Sequence, residues 1–290
     1  MTTALAIKGL KKTFGSHVAV EDVSLTVRQG EIFGFLGPNG AGKTTTLRCL
    51  MNFLKVDAGT IRVLGKDAQT ESDAVKQLVG YIPSDHHLVD HWTGREHIVY
   101  VSKLRRIDSL PDDLIEQFSL DLDKKVKALS TGNRQKLNII LGLIGQPKLI
   151  VMDEPTQGLD PLFQNTVYQL LREFRNQGGT VFVSSHNLPE VQRICDRVGI
   201  IRQGKLIAEE SLDSLREKSR HIIRARFARP VARSVFANKN FTIQQYDKHS
   251  VELTVQGGLD PALKILAKHP VLDLEVTHAS LEEIFLELYQ

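Results

Sequence analysis

Cysteine and long apolar runs are scarce in this 290-residue sequence, and each shortage excludes a class of protein. The two cysteines, Cys49 and Cys195, stand far apart and form no CxxC pair, which excludes a disulfide framework or a cysteine zinc site. We interpret both as small core residues. The most apolar central run, Leu137 to Gly145, is much shorter than the roughly 20 residues that a bilayer-spanning helix needs.

A strong excess of charge of one sign is also missing. The net charge is only +3 and 24% of residues are charged, without the dense Lys/Arg stripe of a nucleic-acid binder. The N-terminus has Lys8, Lys11 and Lys12 around short apolar stretches and no signal-peptide core. We therefore expect a cytoplasmic protein that reaches a membrane only through a partner.

Strand-like and helix-like segments alternate through the first 210 residues. Glu31 to Leu36 is a short apolar run before a glycine-rich turn, and Thr44 to Leu54 then has a helical pattern. Leu149 to Met152 and Thr180 to Ser184 are further buried-strand candidates, each followed by a helical segment. This alternation predicts an α/β fold with a parallel sheet wrapped by helices. Residues 85–146 interrupt it with a mostly helical pattern, which predicts an inserted helical subdomain.

The pattern changes after Ser211, so we predict one domain over residues 1–212 and a small α+β domain over 213–290. Its predicted elements, in the order βαββαβ, are His221–Ala228, Val231–Ala237, Phe241–Tyr246, Val251–Val255, Pro261–His269 and Leu272–Thr277. That order indicates a ferredoxin-like domain. A last helix, with Ser280 as N-cap, would place Leu281, Ile284, Phe285 and Leu288 on one packing face.

A phosphate-binding loop is the most specific motif. It fits the pattern GxxxxGK[ST] and consists of Gly37, Pro38, Asn39, Gly40, Ala41, Gly42, Lys43 and Thr44, with Thr45 directly after it. The loop lies between a predicted strand and a predicted helix, which is the context that this motif requires. Its glycines let backbone N–H groups surround anionic phosphates, Lys43 would reach the β- and γ-phosphates, and the Thr44 hydroxyl would bind Mg²⁺.

Two adjacent carboxylates follow the apolar strand that begins at Leu149. Asp153 at the strand end is suited to hold Mg²⁺ through water. Glu154 points elsewhere, because neighbouring strand residues face opposite ways, and it is the candidate general base for an attacking water. Such a pair is common on its own but specific when it follows a phosphate loop.

These residues resemble the ATPase subunits of ABC transporters from residue 4 to about residue 210. Leu129 to Asn133 (LSTGN) is similar to the family signature LSGGQ, with Ser130 and Gly132 in place and Thr131 and Asn133 departing from it. Gly158 to Asp160 resembles the D-loop, His186 the switch histidine, and Phe14 the aromatic that stacks on adenine. The resemblance implies a RecA-like P-loop NTPase core with a β-subdomain, the helical subdomain and the accessory C-terminal domain.

The chain also departs from the family at the Q-loop. Ser84 stands where the Q-loop glutamine is usual, and its hydroxyl is too short to reach the metal as glutamine does unless a water bridges or Asp85 substitutes. The run from His86 to His91, with three histidines and Asp90, has metal-ligand chemistry without a recognised ligand spacing. We interpret this run as an interaction loop for the membrane subunit rather than as a metal site.

The resemblance further implies a head-to-tail pair of ATPase subunits with two ATP molecules between them. Ser130 and Gly132 of one subunit would then complete the site of the other, and a separate membrane permease would convert closure and opening into transport. The segments Gly80–Pro83 and Ala279–Phe285 resemble the ABC-2 exporter branch.

Three alternatives to an exporter ATPase stay open. One is an importer ATPase, whose nucleotide residues would look the same. Another is a soluble ABC protein that acts on ribosomes or nucleic acid, for which the basic stretch with Arg224, Arg226, Arg229 and Arg233 lacks RNP1-like aromatics. We therefore expect no nucleic-acid partner. The third, an ATP sensor without turnover, is disfavoured because Asp153, Glu154 and His186 are all present.

Overall fold

The computed structural model describes residues 2–85, 88–107, 112–214, 220–256 and 258–278. The chain divides into two units, Met1–Glu210 and Ser211–Gln290, near the boundary expected after residue 212. The predicted terminal helix, with Leu281, Ile284, Phe285 and Leu288, lies outside the described residues.

Ten strands form the sheet of the first unit. They are β1 (Thr3–Phe14), β2 (His17–Arg28), β3 (Ile32–Leu36), β4 (Ala58–Val63), β5 (Lys66–Asp67), β6 (Val79–Ile82), β7 (Leu149–Asp153), β8 (Thr180–Ser185), β9 (Arg197–Arg202) and β10 (Lys205–Ser211). Their order is β5-β4-β1-β2-β10-β9-β3-β8-β7-β6. The strands from β9 to β6 pair in parallel, whereas β5, β4, β1 and β2 form an antiparallel end.

The predicted α/β class with a parallel centre is confirmed, because β3, β7 and β8 are fully buried five- and six-residue strands of mainly apolar residues. The ring of Phe182 on β8 packs against Phe33 and Phe35 of β3, with ring centroids 5.9 and 5.5 Å apart. These contacts fix the strands that lead into the candidate site.

Seven helices are described in this unit: α1 (Lys43–Leu50), α2 (Ser72–Leu78), α3 (Gly94–Leu104), α4 (Asp112–Phe118), α5 (Thr131–Leu143), α6 (Pro161–Asn176) and α7 (Leu188–Ile194). The inserted helical subdomain predicted over residues 85–146 contains α3, α4 and α5. None of the described helices combines the length and apolar character that a bilayer crossing requires.

The first helix ends four residues earlier than the predicted Thr44–Leu54. Asn52 has a left-handed backbone with φ 53°. The N–H of Phe53 donates to Arg48 O at 2.8 Å, and the N–H of Asn52 donates to Cys49 O at 3.1 Å. These two bonds form a Schellman motif, in which asparagine replaces the usual glycine.

The second unit has a separate four-stranded antiparallel sheet. The strands of this sheet are β11 (Arg220–Phe227), β12 (Phe241–Asp247), β13 (Ser250–Gln256) and β14 (Val271–His278), in the order β12-β13-β11-β14. The helix α8 (Asp260–Leu266) lies between β13 and β14 in sequence. Its own core includes Ile223, Phe227, Phe236, Leu253 and Leu266. The ferredoxin-like assignment of this unit stays a prediction.

The predicted helix Val231–Ala237 is wrong in type, because the structure has a single 3₁₀ turn at Arg233–Phe236. The N–H of Val231 donates to Lys248 O at 2.9 Å, and Val231 O accepts from the Tyr246 hydroxyl at 2.7 Å. The carbonyl of Val231 would accept from the Val235 N–H in an α-helix that began there, but the hairpin uses it, and the Val235 N–H donates instead to Ala232 O at 3.1 Å.

Candidate functional site

The candidate site lies where three parallel strands end side by side. Leu36 at the end of β3 is in register with Ser185 of β8, and Ser184 of β8 is in register with Asp153 of β7. Ligand sites in open α/β sheets lie outside the carboxyl ends of their strands. The phosphate loop, Glu154 and His186 follow these ends directly, so the register brings together residues that are far apart in sequence.

Two glycines of the phosphate loop have backbone conformations that favour glycine, and one of them also lies too close to a neighbouring strand for a side chain. Gly42 has φ 106°, and a Cβ there would lie 2.5 Å from Ala19 O of β2. Gly40 has φ 80°, with open space around a Cβ at that position. Gly42 is the N-cap of α1, so the first N–H groups of that helix have no partner within it. The predicted loop therefore has the backbone of an anion cradle at a helix N-terminus.

Lys43 folds back over this loop. Its ammonium donates to Gly37 O at 2.6 Å and to Pro38 O at 3.2 Å. It also lies 3.3 Å from Glu154 Oε1, and its side chain is only 6% exposed. The cation is thus held between the loop and the second carboxylate, where a phosphate group would find a partly desolvated positive charge.

Three hydroxyl groups surround the fully buried carboxylate of Asp153. Thr44 Oγ1 donates to Oδ2 at 2.8 Å, Ser84 Oγ donates to the same oxygen at 3.2 Å, and Ser184 Oγ donates to Oδ1 at 2.5 Å. The serine at the Q-loop position therefore reaches Asp153 directly. Burial, together with the charge of Asp153, raises the pKa of the neighbouring Tyr81 to about 12.

Asp85 does not share this cluster, since its carboxylate pairs with Arg48 of α1 at 3.6 Å. His86 and His87, part of the histidine run considered above, lie outside the described residues. Over the ranges that the structure describes, no group of three or more metal-ligating side chains is present.

Glu154 leaves the end of β7 with a left-handed backbone, φ 50°. This conformation is uncommon for a residue with a side chain and is typical of functional sites. It separates the Glu154 carboxylate from that of Asp153, so strand alternation is not the reason for their divergence. Glu154 Oε2 is 2.8 Å from His186 Nδ1, and it also accepts from the backbone N–H of His186 at 3.4 Å.

Phe14 lies at the exposed end of β1, with 47% of its surface accessible. The Lys12 ammonium lies 5.5 Å from the ring centroid. Asp57 fixes the neighbouring backbone by accepting from the Thr13 N–H and hydroxyl, both at 2.6 Å, and from Lys12 at 2.8 Å. The hydrogen bond from Lys12, followed by those from Thr13, lowers the pKa of Asp57 to about 2. The aromatic is thus presented on an ordered edge.

The remaining predicted residues lie apart from this cluster. Ser130 is an exposed N-cap of α5, with its hydroxyl accepting from Asn133 N at 3.3 Å. Gly132 faces the D-loop, because a Cβ there would be 3.8 Å from Gly158 O. Asp160 is the N-cap of α6. Within the described parts of the chain, neither Ser130 nor Asp160 shares a hydrogen bond with residues 37–44.

Sequence reasoning missed three residues that support the site. Ser184 bonds Asp153, Gln135 donates to Pro155 O at 2.6 Å, and Glu190 accepts from Thr156 and Ser185. Ser184 was detectable, since it is a hydroxyl residue at the end of the predicted strand Thr180–Ser184, two positions before His186. Gln135 and Glu190 have no comparable signal, because both act on loops distant in sequence.

The comparisons with known proteins point to one family. Residues 20–157 match the family model described as ABC transporter. The chain is 31% identical over 302 residues to the bacitracin transport ATP-binding protein BcrA of Bacillus licheniformis, an alignment that covers 99% of this chain and 98% of the relative. It is 36% identical over 222 residues to Nod factor export ATP-binding protein I of Rhizobium sp. (strain N33), with 74% of this chain and 73% of the relative covered.

A solved structure agrees. The structure of an ATP-binding subunit of an ABC transporter superposes with a TM-score of 0.69 at 28% identity, over 73% of this chain and 92% of that one. Both sequence and fold are therefore similar to ATP-binding subunits of transporters, and the predicted P-loop NTPase fold is confirmed.

Proposed function

The chain belongs to the ABC transporter family as an ATP-binding subunit and ATPase, and from this premise we propose which residues perform its reaction and with which partners. The observation that carries the proposal is the connected cluster of Lys43, Thr44, Asp153, Glu154 and His186 at the carboxyl ends of β3, β7 and β8. We call it the phosphate-edge cluster.

ATP is held by the phosphate loop, residues 37–44, with Thr45 on the following turn. Backbone N–H groups and the α1 N-terminus bind the phosphates, and the Lys43 ammonium exchanges its two loop carbonyls for phosphate oxygens. Phe14 stacks on adenine from the exposed end of β1. This assignment gives a role to the left-handed glycines Gly40 and Gly42, which turn the backbone around the phosphates, and to the nearly buried Lys43.

Mg²⁺ fits the donor set on this edge. The Thr44 hydroxyl and the Asp153 carboxylate are 2.8 Å apart and offer the oxygen ligands that this ion prefers, with Ser84 touching the same carboxylate. When bound, the ion supplies charge neutralisation between phosphate oxygens. Thr44 and Asp153 would hold it, and Ser84 orients Asp153 in place of the usual glutamine.

Hydrolysis is assigned to Glu154 and His186. Glu154 accepts a proton from the attacking water, so its carboxylate must lie clear of Asp153, as the left-handed backbone arranges. His186 orients Glu154 through the 2.8 Å contact and faces the γ-phosphate. Both residues stand on rigid strand ends, which favours a fixed reaction geometry.

A second copy of the ATPase supplies Ser130 and Gly132, and Asp160 lies at the contact between copies. Support comes from the separation of these residues from the loop of their own chain. Both Ser130 and Asp160 are exposed N-caps at helix starts, where N–H groups favour an anion. ATP then binds more tightly in the closed pair than in the open one, and this difference drives closure.

The pair works on an integral-membrane permease and lies at the cytoplasmic face of the membrane through that partner. We assign export rather than import, on the resemblance of Gly80–Pro83 to the ABC-2 branch and on the Nod factor export protein among the relatives. No nucleic-acid partner is assigned.

The test is ATP-dependent pairing of the Glu154→Gln variant, measured by sedimentation with and without MgATP. We expect a dimer with MgATP and monomers without it, because the slow variant keeps its γ-phosphate contacts. Adding Ser130→Ala should reduce the dimer fraction strongly. Thr93→Ala is the matched control, since Thr93 is also an N-cap that accepts a backbone N–H three residues on, at the start of α3. Equal dimer fractions in the Ser130 and Thr93 variants would remove Ser130 from the second half of the site.

A further inference from the structure

A buried carboxylate outside the phosphate-edge cluster joins the two loops that carry its reacting pair. Glu190 on α7 is only 4% exposed. Its Oε1 accepts from the Thr156 hydroxyl at 2.7 Å, and its Oε2 accepts from the Ser185 hydroxyl at 2.6 Å. Thr156 stands two residues after Glu154, and Ser185 directly precedes His186. One side chain therefore bonds the neighbours of both residues.

Glu190 is itself held rigidly. The side chain of Asn187 caps α7 by accepting from the Glu190 N–H at 3.4 Å. The next residue, Val191, packs so closely on β3 that a Cβ at Gly34 would lie 2.9 Å from it. Since β3 leads directly into the phosphate loop, Glu190 is fixed relative to the strand that positions the phosphates.

Burying this carboxylate costs free energy, which its two hydrogen bonds from hydroxyl groups offset. Desolvation raises the pKa of Glu190, with hydrogen bonds from Ser185 and Thr156 acting in the opposite direction. A buried acid that is bonded by two hydroxyls favours one arrangement of its partners, because losing either bond would leave a buried polar group unsatisfied. Here the geometry links Glu154 and His186, which lie 2.8 Å apart.

We propose that Glu190 is a positioning residue for hydrolysis, which holds the Thr156 and Ser185 segments in register so that Glu154 and His186 keep their reactive contact. The proposal rests on the assignment of Glu154 and His186 in the proposed function. It predicts a larger effect on turnover than on ATP binding. Within the described residues no hydrogen bond joins Glu190 to Lys43 or to residues 37–44, and the Ser185 segment meets the loop only through its backbone carbonyl, which accepts from the Gly37 N–H at 3.2 Å.

The experiment compares variants of the full chain by steady-state ATPase kinetics and ATP titration. In Glu190→Ala we expect kcat to fall about 10- to 100-fold while the ATP Kd changes less than about twofold. Glu190→Gln should restore most of kcat, since the amide oxygen can accept a hydrogen bond from one hydroxyl while the amide NH₂ donates to the other. Glu31→Ala is the matched control. Glu31 is also a buried carboxylate with two bonded partners, Arg28 N and Arg197, and it lies outside the site.

Two further variants test the same bonds from their other ends, and keep the proposal testable if Glu190→Ala does not fold. Thr156→Val and Ser185→Ala should each lower kcat, and combining Thr156→Val with Glu190→Ala should add little to the loss from Glu190→Ala alone. Independent, multiplying losses would overturn the proposal. So would a folded Glu190→Ala with normal kcat, a Glu190→Gln as slow as Glu190→Ala, or an equal loss in Glu31→Ala.

Failure of this inference is separable from failure of the proposed function. If Glu154→Gln turns over normally, the assignment of the base is wrong and Glu190 has nothing to position. If Glu154→Gln is inactive while every Glu190 and Thr156 variant keeps normal kcat, only the positioning role is lost.

Discussion

Two clusters of charged side chains in this chain differ in burial more than in composition. The phosphate-edge cluster of the first unit has Lys43 at 6% side-chain exposure and Glu154 at 13%. The second unit has an arginine ladder, in which Arg224 pairs with Glu252 at 2.9 Å and with Glu275 at 3.4 Å, and Arg226 pairs with Asp273. The ladder's arginines are more than half exposed.

The difference in burial separates charges that can act on a ligand from charges that mainly face solvent. Exposed pairs are screened by water and salt and contribute little, whereas charges at a partly dry edge interact strongly and can bind or activate a ligand. The arginine ladder includes two residues of the basic stretch noted in the sequence. Acidic side chains of neighbouring strands form ion pairs with Arg224 and Arg226 in the structure.

The largest expected effect is on the reaction itself. Glu154→Gln removes the proton acceptor, and we expect kcat to fall about 10²- to 10⁴-fold, the range typical of general base catalysis, with ATP affinity retained. Phosphate release from purified protein measures this. Near-normal turnover would show that Glu154 is not the general base of the reaction.

Loss of the phosphate cation should have the next largest effect. Lys43→Ala removes a charge-assisted bond to phosphate oxygens, so we expect ATP Kd to rise about 10- to 100-fold in an equilibrium titration. Lys205→Ala, which removes an exposed lysine paired with Glu21, is the control and should leave Kd unchanged. Equal affinities of the two variants would count against the cradle.

A smaller effect is expected at the base-binding end. Phe14→Ala should weaken ATP binding about tenfold, the cost of one lost stacking contact, without changing the affinity for inorganic tripolyphosphate. Phe53→Ala removes another exposed aromatic of the same unit and is the control. If both ligands weaken equally, Phe14 supports the fold of the edge and does not stack on adenine.

The smallest effect is expected in the arginine ladder. Arg224→Ala should leave kcat and ATP Kd of the purified chain unchanged, because its pairs are exposed and belong to the other unit. A clear loss of ATPase activity would break the comparison, since it would show that the second unit acts on the nucleotide site.

Features of the fold that depend on neighbouring residues in the sequence were predicted better than features that depend on contacts between distant residues. The strands β3, β7 and β8 and the position of the glycine-rich loop between β3 and α1 were predicted closely, because their signals are local runs of apolar residues and glycines. The end of α1 at Asn52 was missed, since asparagine is only an occasional left-handed cap. The predicted helix from Val231 was wrong in type because the hairpin uses the Val231 carbonyl and the Val235 N–H pairs with Ala232 O instead, as in a 3₁₀ turn.

The sequence by itself determined the chemistry available: a loop of glycines ending in Lys43 and Thr44, an apolar strand ending in Asp153 and Glu154, and a histidine after another strand. Only the tertiary structure decided what these groups touch. The Ser184 hydroxyl meets Asp153 across 31 positions of chain, and Glu190 meets Thr156 across 34. Such contacts follow from the parallel register of β7 and β8 and from the packing of α7 on β3, which depend on the whole buried sheet and not on any local pattern.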